Sequence, residues 1–268
     1  MPTKAIDSGP VGVLAGEGAL PPQLIQYCID NNIPIAAVQF GMCNYETFPS
    51  CPILKTRIER VGEIFSFFRK YHVHNVVMIG NLQRPSIKSL RPDMKGLKTL
   101  GRIAGAFMKG DDNLLRSLRT EIENEGFTVR GIDYYLIDLV CDAGHHTTCH
   151  NTMNVGDAIQ EALRYGADDK GQSILLHDDG TYSYETRDGT TALINDEGRE
   201  GSILIKMVKP QQDPDLDRPT VGLQTLQVLS ANGCTGMVIQ ANGVLMVDKH
   251  DMIAYANDHH LFIEAVNV

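Results

Sequence analysis

Asp213, Asp215 and Asp217 stand two residues apart, directly after Lys209-Pro210-Gln211-Gln212. In an extended chain, residues two apart project to the same side. Three carboxylates placed so close invite a divalent cation, and an all-oxygen donor set suits Mg²⁺. Arg218 stands where a calcium-binding EF-hand loop needs glycine, which excludes that motif. The chemistry such a cluster supports is a metal-bridged phosphate: the ion neutralises phosphate oxygens and polarises phosphorus toward attack by water. An acidic surface turn is the other reading of the same triplet.

Two further groups suit an anionic ligand. Gly16-x-Gly18 lies between a short apolar run and a helix opened by Pro21-Pro22, where backbone N–H groups can approach a phosphate; a plain tight turn explains it as well. As a dinucleotide fingerprint it is incomplete, because Pro21 takes the third glycine position and the second strand ends in Gln39-Phe40 without an acidic residue. Between Arg84 and Lys109 lie Arg84, Lys88, Arg91, Lys95, Lys98, Arg102 and Lys109, opposed only by Asp93, an excess of +6 in a chain of net charge -9. Lys95, Lys98 and Arg102 fall on one helix face beside Met94, Leu97, Leu100, Ile103, Ala104 and Phe107. A basic face next to an apolar one suits an anionic amphiphile or membrane surface, and a solvated helix equally explains a charge run. Arg84 follows Gly80 at a strand's carboxyl end, where α/β sheets bind ligands.

His145, His146, Cys149 and His150 include zinc-ligand types, but no glutamate separates the histidines as H-E-x-x-H requires. Asp258-His259-His260 has no partner Asp-rich motif and reads as a helix end, and Leu82 after Gly80-Asn81 breaks the Gly-Asn-His signature of calcineurin-like phosphoesterases. No nucleophile elbow or P-loop occurs.

These residues need elements to hold them. The first half alternates strands (Val11 to Leu14, Ile33 to Phe40, Val73 to Ile79, and a short one within Val129 to Leu136) with helices (Pro21 to about Asn31, Arg60 to Tyr71, one from near Asp93, one from Asp111 or Asp112 to Gly126). Such repetition predicts a Rossmann-like domain with a parallel sheet over residues 1–141. Residues 142–153 are polar and aperiodic and read as a linker. Residues 154–268 predict a mixed α/β domain, with hairpins at Asp178-Asp179-Gly180 and Asn242-Gly243, a strand over Ser202 to Val208 and helices over Asn154 to Tyr165 and Leu223 to Asn232.

At 268 residues with 43% hydrophobic residues, the chain is long enough for one large or two modest cores. The acidic balance and the absence of Trp argue against nucleic acid as a partner. Six cysteines without a C-x-x-C pair predict reduced thiols. With no signal-peptide pattern and no apolar run near the ~20 residues of a membrane span, a cytoplasmic protein is expected.

In order along the chain, Val13-Leu14-Ala15-Gly16-Glu17-Gly18-Ala19-Leu20-Pro21, Gly80-Asn81-Leu82-Gln83-Arg84-Pro85, Leu90-Arg91-Pro92-Asp93, Lys109-Gly110-Asp111-Asp112 with Leu114-Leu115, Glu125-Gly126-Phe127, Gly171-Gln172, Asp188-Gly189-Thr190 and Lys209-Pro210-x-Gln212-Asp213-x-x-x-Asp217-x-Pro219-Thr220-Val221-Gly222 resemble the UDP-2,3-diacylglucosamine pyrophosphatase family of the LpxI type, from lipid A biosynthesis. The resemblance covers nearly the whole chain apart from the linker. It implies two α/β domains with the ligand between them. It also implies Mg²⁺-dependent hydrolysis of UDP-2,3-diacylglucosamine to UMP and 2,3-diacylglucosamine 1-phosphate, with water attacking the β-phosphorus. It assigns Asp213 as the essential metal-binding or water-activating carboxylate, supported by Asp217. Gly16, Gly18, Gly80, Asn81 and Arg84 would hold phosphates or sugar, with Asp112, Lys209 and Gln212 also binding substrate and Gly189 and Thr190 lining the opposite wall. It is compatible with peripheral contact at the inner membrane and with a homo-oligomer. Three positions depart from the family pattern: Thr191 replaces an Asp, Asp215 replaces an Arg, and Gln240 stands where a Glu is usual. A non-catalytic binder or carrier of the same sugar-nucleotide lipid is the alternative these departures leave, and a nicotinamide-dependent oxidoreductase is the weaker third.

Overall fold

The computed structural model describes residues 9–41, 50–81, 90–107 and 111–268; Arg84, Lys88 and Lys109 lie outside them. The chain divides into two compact units, residues 1–136 with 213–217, and 137–212 with 218–268.

In the first unit, strands β1 (Val11–Ala15), β2 (Ile35–Phe40), β3 (Ile53–Thr56), β4 (Asn75–Ile79) and β5 (Thr128–Val129) form one parallel sheet in the order β3-β2-β1-β4-β5. β1 and β2 are buried almost throughout, as strands covered on both faces must be, which is why they read as unbroken apolar runs. The helices are α1 (Leu20–Asp30), α2 (Val61–Lys70), α3 (Met94–Phe107) and α4 (Asp111–Asn124). α2 buries Ile64, Phe65 and Phe68, and Phe65 stacks on Phe127 with ring centroids 5.6 Å apart. Asp93 serves two helices. One oxygen accepts from the Gly96 amide of α3 at 2.6 Å and the other from the Glu63 amide of α2 at 3.1 Å. Burial works against this carboxylate, but the amides of Gly96, Glu63 and Gly62 and the charge of Arg60 outweigh it and lower its pKa.

The second unit carries β6 (Gly144–His145), β7 (Ser173–Leu176), β8 (Tyr182–Tyr184), β9 (Ile203–Lys206), β10 (Thr220–Val221), β11 (Gly236–Gln240), β12 (Leu245–Met246) and β13 (Phe262–Val266), with helices α5 (Gly156–Ala167), α6 (Gly189–Glu197), α7 (Leu223–Ala231) and α8 (Lys249–Asp258). Its main sheet has the order β6-β13-β11-β9-β7-β8. β9, β11 and β13 run parallel, and β7, β8 and β6 are antiparallel to their neighbours. Alternate residues sort onto the two faces: Leu175, Leu204, Met237, Ile239 and Ile263 enter one core, and Ile174, Leu176, Ile205, Val238 and Phe262 the other. The α/β class, with a parallel and a mixed sheet, is the one expected.

Four local expectations change. β3 was not anticipated; it is a half-exposed edge strand whose four residues have no apolar alternation. The expected strand within Val129 to Leu136 shrinks to Thr128–Val129, followed by 3₁₀ turns at Ile132–Tyr134 and Ile137–Leu139. Asn242-Gly243 does turn the chain, with Val244 N donating to Gln240 O at 3.1 Å, but no hairpin forms. Both edges of β11 are taken by β9 and β13, so β12 pairs with β10 instead. Residues 142–153, read as a linker, include β6 on the edge of β13, and Thr147 Oγ1 accepts from Ile263 N at 2.9 Å. The open edge of β13 supplies partners that no periodicity in the sequence announces.

Candidate functional site

The strand order of the first sheet reverses at β1, since β2 lies on one side of it and β4 on the other. Open parallel sheets bind ligands outside the carboxyl ends of their strands at such a switch point. The loops there are Gly16-Glu17-Gly18 after β1 and Gly80-Asn81 after β4, and they are joined: Glu17 N donates to Asn81 O at 2.7 Å and Asn81 N to Glu17 O at 2.8 Å. The join requires glycine on both sides. A Cβ on Gly16 would lie 2.6 Å from the Gly80 carbonyl carbon, and one on Gly80 2.7 Å from Glu17 O. Gly16 N donates to Ile79 O at 2.8 Å, so the amides of residues 16 and 17 hold the loops together. Among the described residues a side chain at Gly18 would meet no atom within 4 Å, so this glycine forms the tip of the described loop.

The carboxylate segment belongs by its contacts to this same unit, although the sequence places it deep in the second half. It is a turn and not an extended run: Asp213 O accepts from Leu216 N at 2.9 Å and Asp217 N at 3.0 Å. Leu216 packs against the core that includes Val76, Phe127 and Val129, as Leu14 and Met78 do. Asp215 Oδ1 accepts from the Gly131 amide, just past β5, at 3.0 Å. The segment is therefore mounted on the carboxyl side of β5, two strands from β1, about 10 Å at the usual strand spacing. Arg119 of α4 reaches it, donating from Nη1 to Asp213 Oδ2 at 2.7 Å and from Nη2 to Asp215 Oδ2 at 3.2 Å, while Nε donates to Glu123 at 2.9 Å. The Glu123 bond, opposed by burial and helped by the Asp213 carboxylate, pushes the guanidinium pKa further up. Sequence reading missed Arg119, because an Arg four residues before a Glu on a helix looks like an ordinary surface pair.

The Asp213 carboxylate also accepts at Oδ1 from Asp215 N, at 3.1 Å. Each carboxylate oxygen has two lone pairs, so these bonds leave room for further ligands. Among the described residues no three His, Cys, Asp or Glu side chains group closely enough to hold a metal by themselves.

The basic stripe of α3 is less free than its sequence suggests. Lys95 pairs with Glu125, which also binds Arg69, and Arg102 pairs with Glu121. These acids come from α4 and its end, so they do not show within the stripe itself. Met94 and Leu97 are 76% and 60% exposed. Asp112 lies in the first turn of α4, but its side chain is outside the described set.

In the second unit, a polar group gathers at the carboxyl end of β9. Gly189, at φ +86, opens α6. Thr190 Oγ1 accepts from buried Lys206 Nζ at 2.7 Å, donates to Glu185 Oε1 at 2.5 Å and lies 3.1 Å from Ser173 Oγ. Thr190 is thus held inside this network. Gln212 Oε1 accepts from Lys209 N and its Nε2 donates to Gln172, closing the turn begun by Pro210. The Lys209 ammonium bonds Asp169 at 2.8 Å, and that bond, against burial, lowers the Asp169 pKa. Lys206, a charge inside the apolar run Ile203 to Val208, is the signal that would have found this group in the sequence. His145 and His150 have ring centroids 4.5 Å apart, and His146 bonds the Asp142 carbonyl. His259 caps the C-terminus of α8, as expected for a helix end.

The chain matches the family described as LpxI N-terminal domain over residues 10–139 and that described as LpxI C-terminal domain over residues 141–264. It is similar, at 29% identity over 272 aligned positions, to the UDP-2,3-diacylglucosamine pyrophosphatase LpxI of Caulobacter vibrioides, with 96% of this chain and 97% of that protein covered.

Proposed function

The chain belongs to the LpxI family, and from that premise we propose that it hydrolyses the pyrophosphate bond of UDP-2,3-diacylglucosamine, giving UMP and 2,3-diacylglucosamine 1-phosphate for lipid A synthesis. The name of the Caulobacter relative supports the substrate. The observation that carries the chemistry is the placement of Asp213 on the same carboxyl edge of the sheet as the joined loops of Gly16 and Gly80.

In this reading the tip at Gly18, with Asn81, receives the diphosphate. Asp213 accepts a proton from the attacking water or orients that water, and Asp217 supports it. The pair would hold Mg²⁺, which when bound neutralises phosphate oxygens and polarises phosphorus. Lys209 and Gln212 build the turn that delivers Asp213, and Gly189 and Thr190 shape the end of β9. Among the described residues no helix is long and apolar enough to cross a membrane. The exposed Met94 and Leu97 of α3 are where an acylated substrate, or a membrane surface supplying it, would touch.

The test is release of UMP from UDP-2,3-diacylglucosamine by purified protein, with Mg²⁺ and with EDTA. Turnover is expected with the metal, lost with the chelator and lost in Asp213→Ala. Unchanged turnover in that variant removes Asp213 from the mechanism. Tight substrate binding with no UMP under any divalent ion points to a binder or carrier.

A further inference from the structure

Arg119 directs each of its three guanidinium nitrogen atoms at a different carboxylate: Nε at Glu123 on its own helix, Nη1 at Asp213 and Nη2 at Asp215. Glu123, four residues on along the same helix, holds Nε and so helps to aim the guanidinium. The remaining nitrogen atoms then clamp two carboxylates of a segment 94 and 96 residues away. The side chains concerned are partly shielded, with Arg119 27% and Asp213 19% exposed. Asp215 is further pinned by the Gly131 amide, and the segment's backbone comes so near that a Cβ on Gly131 would lie 3.1 Å from Pro214 O. Asp215 in turn orients Asp213, through the bond from its amide to Asp213 Oδ1.

We propose that Arg119 is a positioning residue, which through its paired contacts with Asp213 and Asp215 fixes the Asp213–Asp217 turn on the first unit and sets the direction of the Asp213 carboxylate. Asp215 is then the second anchor of the turn, not a ligand of substrate. The inference rests on the proposed role of Asp213. It adds that the role depends on a residue of α4 whose guanidinium bonds go to carboxylates of the protein itself.

A lysine cannot take over, because one ammonium cannot span three carboxylates in a planar fork. Misplacing a reacting group by about 1 Å can cost a factor of 10² in rate, which sets the expected loss. Steady-state release of UMP from UDP-2,3-diacylglucosamine with Mg²⁺ is measured for wild type, Arg119→Ala and Arg119→Lys, beside amide hydrogen exchange at Asp215, Leu216 and Asp217. In Arg119→Ala, kcat is expected to fall about 100-fold with KM changed less than about twofold. Exchange at the Asp215 amide should accelerate, since that amide bonds Asp213 itself. Arg119→Lys should keep a loss of roughly tenfold or more, and added guanidinium ion should restore part of the Ala variant's rate. Wild-type kcat in Arg119→Ala, unchanged exchange at Asp215, or full activity in Arg119→Lys would each overturn the inference. If Arg119→Ala does not fold, Asp215→Asn reads the same contact, with accelerated exchange at Leu216 and Asp217 expected and wild-type exchange overturning it. A wild type that releases no UMP defeats the proposed function, and the exchange measurements still decide the clamp.

Discussion

Replacing Gly16 by alanine tests the loop junction at the switch point. The new Cβ would sit 2.6 Å from the Gly80 carbonyl carbon and 2.7 Å from Asn81 O, roughly 0.8 Å inside the 3.4 Å at which ordinary contact begins. Neither obstacle is a flexible side-chain tip, so the loops must separate. A shift of that size stretches Glu17 N···Asn81 O, now 2.7 Å, and Asn81 N···Glu17 O, now 2.8 Å, to the limit of hydrogen bonding. Two backbone bonds at about 1 kcal/mol each, with about 1–3 kcal/mol for forced backbone movement, predict a loss of about 3–5 kcal/mol. Gly18→Ala is the control. Its Cβ meets no atom of the described residues, but φ of +118 remains strained for alanine, for a cost of about 1–2 kcal/mol. Urea unfolding followed by far-ultraviolet circular dichroism should rank wild type above Gly18→Ala and that above Gly16→Ala. A Gly16→Ala protein within about 1 kcal/mol of wild type, or one more stable than Gly18→Ala, would refute the argument that close approach demands this glycine.

Asp93→Ala removes the acceptor for the Gly96 and Glu63 amides at once and should lower stability by about 1–2 kcal/mol in a urea melt, with Asp93→Asn losing less. His177 is buried between Ser202 and Ser183, and burial, then Arg199, depresses its pKa. The unfolded chain therefore takes up the proton first as pH falls below about 6.5, so the stability that neutral His177 contributes is present above that value and declines as pH drops toward its lowered folded pKa. Urea midpoints measured from about pH 7.5 to 5 should show a shallower slope for His177→Gln than for wild type. Lys206→Ala takes the ammonium from Thr190 in the buried network at the start of α6, with an expected thermal-melt destabilisation equivalent to about 1–3 kcal/mol.

Legibility tracked the range of the forces involved. β1, β2, β4 and the helices from Pro21, Arg60 and Asp93 could be read because their signals are local: apolar runs, helical spacing, a proline at a first turn and an aspartate before one. The hairpin of β7 and β8 followed from Asp-Gly between two short strands. The partner of β12, whose strand over Val244 to Val247 was legible, and the whole of β6 could not be read, since which edge a strand joins depends on which edges other strands have already filled. The basic stripe of α3 was overcounted for the same reason, its counter-charges lying on a neighbouring helix.

The sequence by itself determined the α/β class, the glycines of the two switch-point loops and the identity of the acidic triplet, because composition, periodicity and residue type are properties of short windows. Only the tertiary structure decided that the triplet is a turn held by the first unit, that Gly16 serves Gly80, and that Arg119 grips Asp213. Those facts are pairings between segments tens to nearly a hundred residues apart, and the energy that selects such a pairing exists only when both segments are folded against the same core.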